Sequence, residues 1–391
     1  MATTLEATGL QLDLTENQRM IQDMVRRFAE EHIRPVMRSY DEKQEFPAEI
    51  FQRLGELGLL GVLVPGEYGG AGLGYHEYVV AVMELARVDG SVALSMAAHN
   101  SLCTNHICLF GSEEQKRRYL PELASGRWIG AWGLTEPNAG SDAAALRTTA
   151  RWNGEHWVLE GSKTFITHAH VGQVAVVMAR AEGHPEGEGI TAFIVEKGTP
   201  GFRAGKKEDK LGMRASETGE LIFQGCPVPD SQRLGPIGEG FRQAMQVLDG
   251  GRISIAALAL GLAQGAFETA FRYALQRQQF GQRLFDMQAI QFKLAEMATE
   301  IEAAWLLTMK AAALKDRGQT TTLESSMAKL YASEVAVRVT GEAVQILGGY
   351  GYVKEFPVEK HYRDAKLCTI GEGTSEIQRL VIARQVLKRF A

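Results

Sequence analysis

Hydrophobic positions along this chain change their period twice. Ile21, Met24, Val25 and Phe28 recur at helical spacing behind a Thr15–Gln18 capping-box pair, which predicts an amphipathic helix. Helical spacing continues to about Ser125, broken at Pro47, at Pro65-Gly66 and across the Gly69–Gly74 run. From Trp128 to about Pro236 the apolar runs are short: Trp157-Val-Leu-Glu160, Val174-Ala-Val-Val-Met178, Ile190-Thr-Ala-Phe-Ile-Val195 and Leu221-Ile-Phe223. Bounded by glycine, proline and charge, they predict antiparallel strands of a barrel or sandwich. Beyond Gly238 helical spacing returns, with long segments near 253–279, 287–317 and 321–347 and a last one from 376. Strands and helices are segregated, so the expected class is α+β and an open α/β sheet is disfavoured. The expected domains are an all-α domain over 1–125, a β domain over 126–236 and a helical bundle over 237–391.

The chain has 391 residues, 45% apolar and 23% charged, as an ordinary globular protein with a large core has. Its net charge of −5 argues against nucleic acid, which calls for a basic face. Cys103, Cys108, Cys226 and Cys368 show no CxxC pairing, so buried thiols in a reducing compartment are expected. Met1–Leu14 carries Glu6 and Asp13 and no basic residue, which fits neither a secretory nor a transit peptide, and a cytoplasmic location of bacterial type is expected. The most apolar helix, Ile253–Phe267, reads as too short to span a bilayer.

Two stretches carry candidate chemistry. Ile370-Gly-Glu-Gly-Thr-Ser-Glu-Ile-Gln-Arg379 sets Glu372 between two glycines at the mouth of a helix, with Ser375 and Gln378 at capping-box spacing. A carboxylate in a tight turn beside helix-terminal amides suits a general base next to a phosphate-bearing cofactor. Read alone, the stretch serves equally as a capped helix with an exposed Glu. Gly133-Leu-Thr-Glu-Pro-Asn-Ala-Gly-Ser-Asp142 is either a loop of small donors along a ligand or a hairpin rich in turn formers. Gly187-Glu-Gly-Ile-Thr-Ala192 fits GxGxxA but leads into a strand, so it is no Rossmann turn. His168 and His170 lack a third ligand and read as a loop pair; no metal site is expected.

Together with Arg277-Gln-Gln-Phe-Gly281 and Gln345-Ile-Leu-Gly-Gly-Tyr-Gly-Tyr352, these stretches resemble the FAD-dependent acyl-CoA dehydrogenase family, in its order and spacing, from about Thr15 to Leu387. The resemblance implies a helical N-terminal domain, a middle β-barrel or sandwich and a C-terminal four-helix bundle. It implies that Trp132, Leu134, Thr135, Gly140 and Ser141 line the flavin, Ser141 also meeting the substrate's thioester arm. Thr167 would donate to flavin N5 and Phe165 would cover one ring face. Thr374 and Glu376 would complete the same cofactor site. Arg277, Phe280, Gln288, Gln345, Gly348 and Gly349 would reach the FAD of a neighbouring subunit, implying a homo-oligomer, most simply a tetramer. Asp249, Arg252 and Gly373 would line the CoA-thioester cavity.

Some members of the family place the catalytic Glu at the position of Gly251, which leaves Glu372 as the base here. The implied reaction is α,β-dehydrogenation of acyl-CoA, with the β-hydride passing to flavin N5 and electrons then to an electron-transfer flavoprotein. An enoyl-CoA reductase working in reverse, or a non-catalytic flavin- or CoA-binding homologue, stays open at this point. Phe165 and His168 depart from tryptophan and asparagine in many members, and Gly371 from a frequent tyrosine, which should widen the acyl cavity. Ser95–Ile107 contains no arginine for a second carboxylate, which disfavours a glutaryl substrate. Its small residues Ala97, Ala98, Ser101, Cys103 and Thr104 are expected at the cavity floor, for straight C4–C8 chains and a tolerated methyl branch.

Overall fold

The computed structural model describes residues 13–390, so the Met1–Leu14 stretch, up to residue 12, lies outside the described residues. The first third is helical: α1 (Glu16–Phe28), α2 (Met37–Lys43), α3 (Ala48–Glu56), α4 (Tyr75–Ala86), α5 (Gly90–Ala98), α6 (Asn105–Phe110) and α7 (Glu113–Ala124). The Thr15 capping box forms, with Gln18 N–H donating to Thr15 Oγ1 at 3.1 Å and Thr15 N–H to Gln18 Oε1 at 3.0 Å. Between α5 and α6 the chain widens into a π-helical stretch, His99–Thr104.

The middle third builds one eight-stranded sheet. Its strands are β1 (Gly130–Gly133), β2 (Thr149–Trp152), β3 (Trp157–Thr167), β4 (Val174–His184), β5 (Gly187–Glu196), β6 (Phe202–Lys207), β7 (Thr218–Val228) and β8 (Arg233–Leu234). Their order is β6-β7-β3-β2-β4-β5-β8, with β1 also on β4. The expectation of antiparallel strands needs correction, because β1 and β2 both run parallel to β4. Parallel pairing needs a crossover rather than a hairpin, and the loop after β1 and the β2–β3 hairpin supply it. Apolar period reports which face a residue takes but not strand direction. On β4, Val174, Val176 and Met178 join the cluster with Tyr119, Leu120 and Leu123, while Ala175, Val177 and Ala179 join the one with Trp157 and Phe193. A strand covered on both faces reads as an unbroken apolar run.

The last third holds α8 (Gly240–Gln276), a small hairpin of β9 (Gln278–Gln279) and β10 (Gln282–Arg283), α9 (Gln288–Asp316), α10 (Thr322–Leu347), α11 (Gly349–Tyr352), α12 (Val358–Cys368) and α13 (Ser375–Phe390). The apolar Ile253–Phe267 run proves to be the centre of the 37-residue α8, which by length and composition could cross a membrane. The helix extends N-terminally beyond that run, through Gly250-Gly251 to Gly240. It is a core helix here, apolar on every side because 78% of its most apolar window is buried. Helices α8, α9, α10 and α12 pack together. They share one core with α1, α3, α4 and α5, so the two helical thirds merge into a single apolar body.

Candidate active site

The turn that holds Glu372 is built by backbone geometry. As α12 ends, Ile370 and Gly371 N–H groups donate back to Leu367 O at 2.8 and 2.9 Å, and Ser375 N–H donates to Thr369 O at 3.0 Å. Glu372 (φ 54°) and Gly373 (φ 92°) are consecutive left-handed residues, a conformation an L-residue adopts only when its surroundings hold it. The cap of α13 is Thr374, whose Oγ1 accepts from Ile377 N–H at 3.3 Å. The expected Ser375–Gln378 box does not form. Gln378 turns its amide onto the turn instead, donating to Glu372 O at 3.2 Å and Gly373 O at 3.0 Å.

Glu372 is half-buried as a residue, but its Oε2 is shut off from solvent and has no partner. Burial pushes its carboxyl up to about 7, opposed by the positive charges of Lys329 and Arg252. The α8 motif lies beside it. Arg252 is held by Asp249 at 2.8 Å, and Asp249 Oδ2 accepts from Thr322 Oγ1 at 2.6 Å. A Cβ built on Gly251 would lie 1.9 Å from Glu372 Oε2, so only glycine leaves room for the carboxylate. The structure therefore brings Glu372, Gly373, Asp249 and Arg252 together.

A second group gathers at the end of the sheet. Leu134 is buried, Trp132, Thr135 and Thr167 are half-buried, and Gly140 and Ser141 are exposed. Trp132 is anchored through its indole N–H, which donates to His106 Nδ1 at 3.0 Å, while His106 Nε2 donates to Gln243 Oε1 at 3.1 Å. Burial drives His106 down to about 4 and so keeps it neutral for that relay. A register break between Lys163 and Ile166 accompanies Phe165 at φ 58°, which is 67% exposed between the buried Thr164 and Ile166.

Arg277, Gly348 and Gly349 are not in either group. They line an open cleft of about 480 Å³ on the C-terminal helices, where the Arg277 guanidinium lies 5.9 Å from the Tyr350 ring centroid. Gln345 and Gln288 are exposed on α10 and at the start of α9, and Phe280 is 95% exposed at the tip of the β9–β10 hairpin. Thr374 and Glu376 border a further cleft of about 360 Å³ with Arg338, Lys366 and Ile370.

Sequence reasoning missed two buried lysines. Lys163 Nζ donates to Leu134 O at 3.2 Å and to Glu136 Oε1 at 2.7 Å, and Glu136 also accepts Arg147 and Thr148 N–H at 2.6 and 2.9 Å. This ion pair clamps the loop 134–148 from beneath. Lys329 lies on α10 under the Glu372 turn. A signal for it existed: Lys329 falls in helical phase with Ser325, Ala328 and Ala332, all buried. His168 and His170 follow β3 in a turn, His168 Nδ1 donating to Gly130 O at 3.0 Å and His170 facing Glu217 at 2.6 Å. Among the described residues no group of three or more His, Cys, Asp and Glu is placed to hold a metal ion. Of the expected floor residues, Cys103 turns instead toward Gly130 of β1, and Ala97 O accepts from Tyr78 OH at 3.1 Å.

Three family models match the chain: acyl-CoA dehydrogenase N-terminal domain over residues 15–127, middle domain over 131–226 and C-terminal domain over 238–387. The chain is 46% identical to a short-chain specific acyl-CoA dehydrogenase of Clostridium acetobutylicum, over 97% of this chain and 100% of that one. Among solved structures it resembles butyryl-CoA dehydrogenase from Megasphaera elsdenii (TM-score 0.93, 45% identity, covering 96% of this chain and 99% of that one). A chain from a structure of the electron transferring flavoprotein of Acidaminococcus fermentans matches equally well (TM-score 0.93, 46% identity, 96% and 99% covered). A glutaryl-CoA dehydrogenase from Mycobacterium smegmatis in complex with FADH2 matches with TM-score 0.91 and 35% identity, each chain 95% covered.

Proposed function

The chain belongs to the acyl-CoA dehydrogenase family, FAD-dependent oxidoreductases acting on the CH–CH group of acyl-CoA, and on that premise we propose that it converts short-chain acyl-CoA to trans-2-enoyl-CoA with Glu372 as the α-proton base. The observation that carries this reading is the buried, unpartnered Glu372 Oε2 with its carboxyl raised to about 7. Such a carboxylate is ionised for part of the time near neutrality and is a stronger base than an exposed one.

The residues present fit FAD. A flavin needs an apolar ring face, small donors at its edge and room for a pyrophosphate. The exposed Phe165 ring, the half-buried Thr135 and Thr167 hydroxyls and the open space around Gly140 offer these. FAD, when bound, supplies the acceptor for the β-hydride. The chain itself does the rest. Glu372 takes the α-proton, and its carboxylate has the place that Gly251 leaves free. In the reading taken from the family, the backbone N–H of Glu372 meets the thioester oxygen as charge builds there; a donor held in advance costs nothing to reorganise during the reaction. Gln378 and Lys329 hold the two carbonyls of that turn.

We further read the enzyme as a homotetramer that passes electrons to an electron-transfer flavoprotein. Supporting assembly, Phe280, Phe292, Tyr352 and Leu387 expose large apolar side chains on the C-terminal third, where a monomer has no use for them. Supporting the acceptor, a matching chain comes from a structure of an electron transferring flavoprotein. The free cysteines, three of the four buried, fit a reducing cytoplasm.

Anaerobic titration of the FAD-loaded protein with butyryl-CoA tests the base. The wild type should bleach its flavin band. Glu372→Gln should bind the thioester but turn over ~10²–10⁴ more slowly, the span of general-base catalysis. Flavin reduction at the wild-type rate in Glu372→Gln overturns the assignment.

A further inference from the structure

We propose that Lys329 is a positioning residue for Glu372: it locks the turn that carries the base, and its charge sets the pH at which that base becomes available. This rests on Glu372 being the base.

Two observations converge on it. The first is geometric. Lys329 is fully buried on α10, and its Nζ lies 2.7 Å from Gly373 O, the carbonyl next after Glu372 along the chain. The carbonyl it grips belongs to Gly373, the second of the two consecutive left-handed residues. Gln378 holds the same carbonyl at 3.0 Å from the other side, so the turn is clasped between α10 and α13. A neutral amide would suffice for a hydrogen bond to a carbonyl. A buried ammonium is a costly donor unless its charge also has a use.

The second observation is the set of groups around the carboxylate. Lys329 acts on Glu372 from α10 and Arg252 from α8, where Asp249 partly offsets Arg252 with an ion pair at 2.8 Å. Tyr78 of α4, Cys368 of α12 and Glu376 of α13 complete the ring of titratable groups, and all three are neutral or negative. Among the described residues Lys329 makes no ion pair within 4 Å, and its charge acts on Glu372 as well as on Cys368 and Glu376. Burial lowers Lys329 to about 8, so it stays protonated in the range where Glu372 titrates. Removing the charge leaves burial less opposed and raises the proton affinity of Glu372 further.

The test compares Lys329→Gln, which keeps a donor without charge, Lys329→Arg, which keeps the charge, and Glu372→Gln, all as FAD-loaded protein with butyryl-CoA. In Lys329→Gln the acidic limb of kcat/KM should move up by about one pH unit, a ~10-fold loss near pH 6. The loss should fade above about pH 8, where wild-type Lys329 itself deprotonates. Lys329→Arg should keep the wild-type limb. Infrared difference spectra give a readout independent of turnover: the protonated-carboxyl band absent from Glu372→Gln should titrate at higher pH in Lys329→Gln. An unshifted limb and an unshifted band in a flavin-retaining Lys329→Gln overturn the proposal while leaving the base in place. An active Glu372→Gln instead removes the base on which the proposal rests.

Discussion

Gly251 and Glu372 share one volume: a methyl group in place of the Gly251 hydrogen would stand 1.9 Å from Glu372 Oε2 and 2.9 Å from its Cδ. The two positions are 121 residues apart in sequence (372 − 251) yet compete for one place. Gly251→Ala must therefore expel the carboxylate from its seat or shift α8. A displaced base loses its near-attack geometry, and misplacements of this size cost ~10²-fold in turnover. Steady-state rates with butyryl-CoA should fall by that order, while FAD content should stay near the wild-type level if the proposed flavin residues at the sheet end hold the cofactor. An unimpaired Gly251→Ala would show that the carboxylate works from another position.

Glu372 also leaves a mark on stability. Its carboxyl rises from 4.5 to about 7 on folding, chiefly by burial. The folded state therefore prefers the protonated form, and stability present below about pH 4.5 is lost as pH rises through 7. The shift corresponds to about 3 kcal/mol as an upper bound at alkaline pH. Glu372→Gln carries no charge to bury. It should unfold at higher temperature than the wild type at pH 8, the gap closing as pH falls toward 4.5. Thermal unfolding at several pH values measures this, and a gap that widens toward acid would reverse the sign.

Much of this site was legible from residue types alone. A carboxylate between glycines and a loop of small donors stand out in sequence, while the Arg277 and double-glycine motifs lie in a separate cleft. What they miss is who faces whom. The single core joining both helical thirds depends on α4 and α8 meeting, which no local period announces. Strand direction is not legible because alternation is the same for parallel and antiparallel neighbours. Thr374 rather than Ser375 caps α13 because two adjacent hydroxyls compete and the turn decides between them. Lys163 and Lys329 do not stand out in sequence because lysine is seldom fully buried, and only their partners explain why these two are.

Lys163 supports the loop 134–148 through Glu136, both nearly inaccessible to solvent. Burial alone would raise Glu136, but Lys163 and two backbone N–H groups hold it below the usual carboxylate value. Lys163→Met strands that carboxylate and frees Leu134 O. Breaking a buried pair by removing one partner costs about 3–5 kcal/mol, so the melting temperature should drop and FAD should wash out more easily. Adding Glu136→Gln to Lys163→Met should recover part of the loss, since the stranded charge is then gone. Equal flavin retention in wild type and Lys163→Met would separate this pair from the cofactor loop.

On the proposed reading, Gly371 helps set substrate size. A Cβ built there would meet only Leu367, at 3.7–3.9 Å, an ordinary contact, so the position tolerates a side chain and its absence leaves space beside Glu372. The Ser95–Ile107 segment, expected at the cavity floor, contains no arginine, and Thr104 Oγ1 is buried without a partner. A glutaryl chain would bring a carboxylate with no cation to meet it, and an unpaired buried charge is strongly disfavoured. The wild type should therefore prefer butyryl-CoA among straight chains, accept octanoyl- and isovaleryl-CoA less well, and handle glutaryl-CoA poorly. Each methylene of misfit changes specificity by only ~1–3 kcal/mol, so the fall should be graded. Gly371→Tyr should fold, keep its FAD and narrow this range, losing isovaleryl-CoA before butyryl-CoA. Values of kcat/KM across butyryl-, octanoyl-, palmitoyl-, isovaleryl- and glutaryl-CoA for both proteins decide it. An optimum at palmitoyl- or glutaryl-CoA, or a Gly371→Tyr profile identical to wild type, would mean that the acyl chain lies elsewhere.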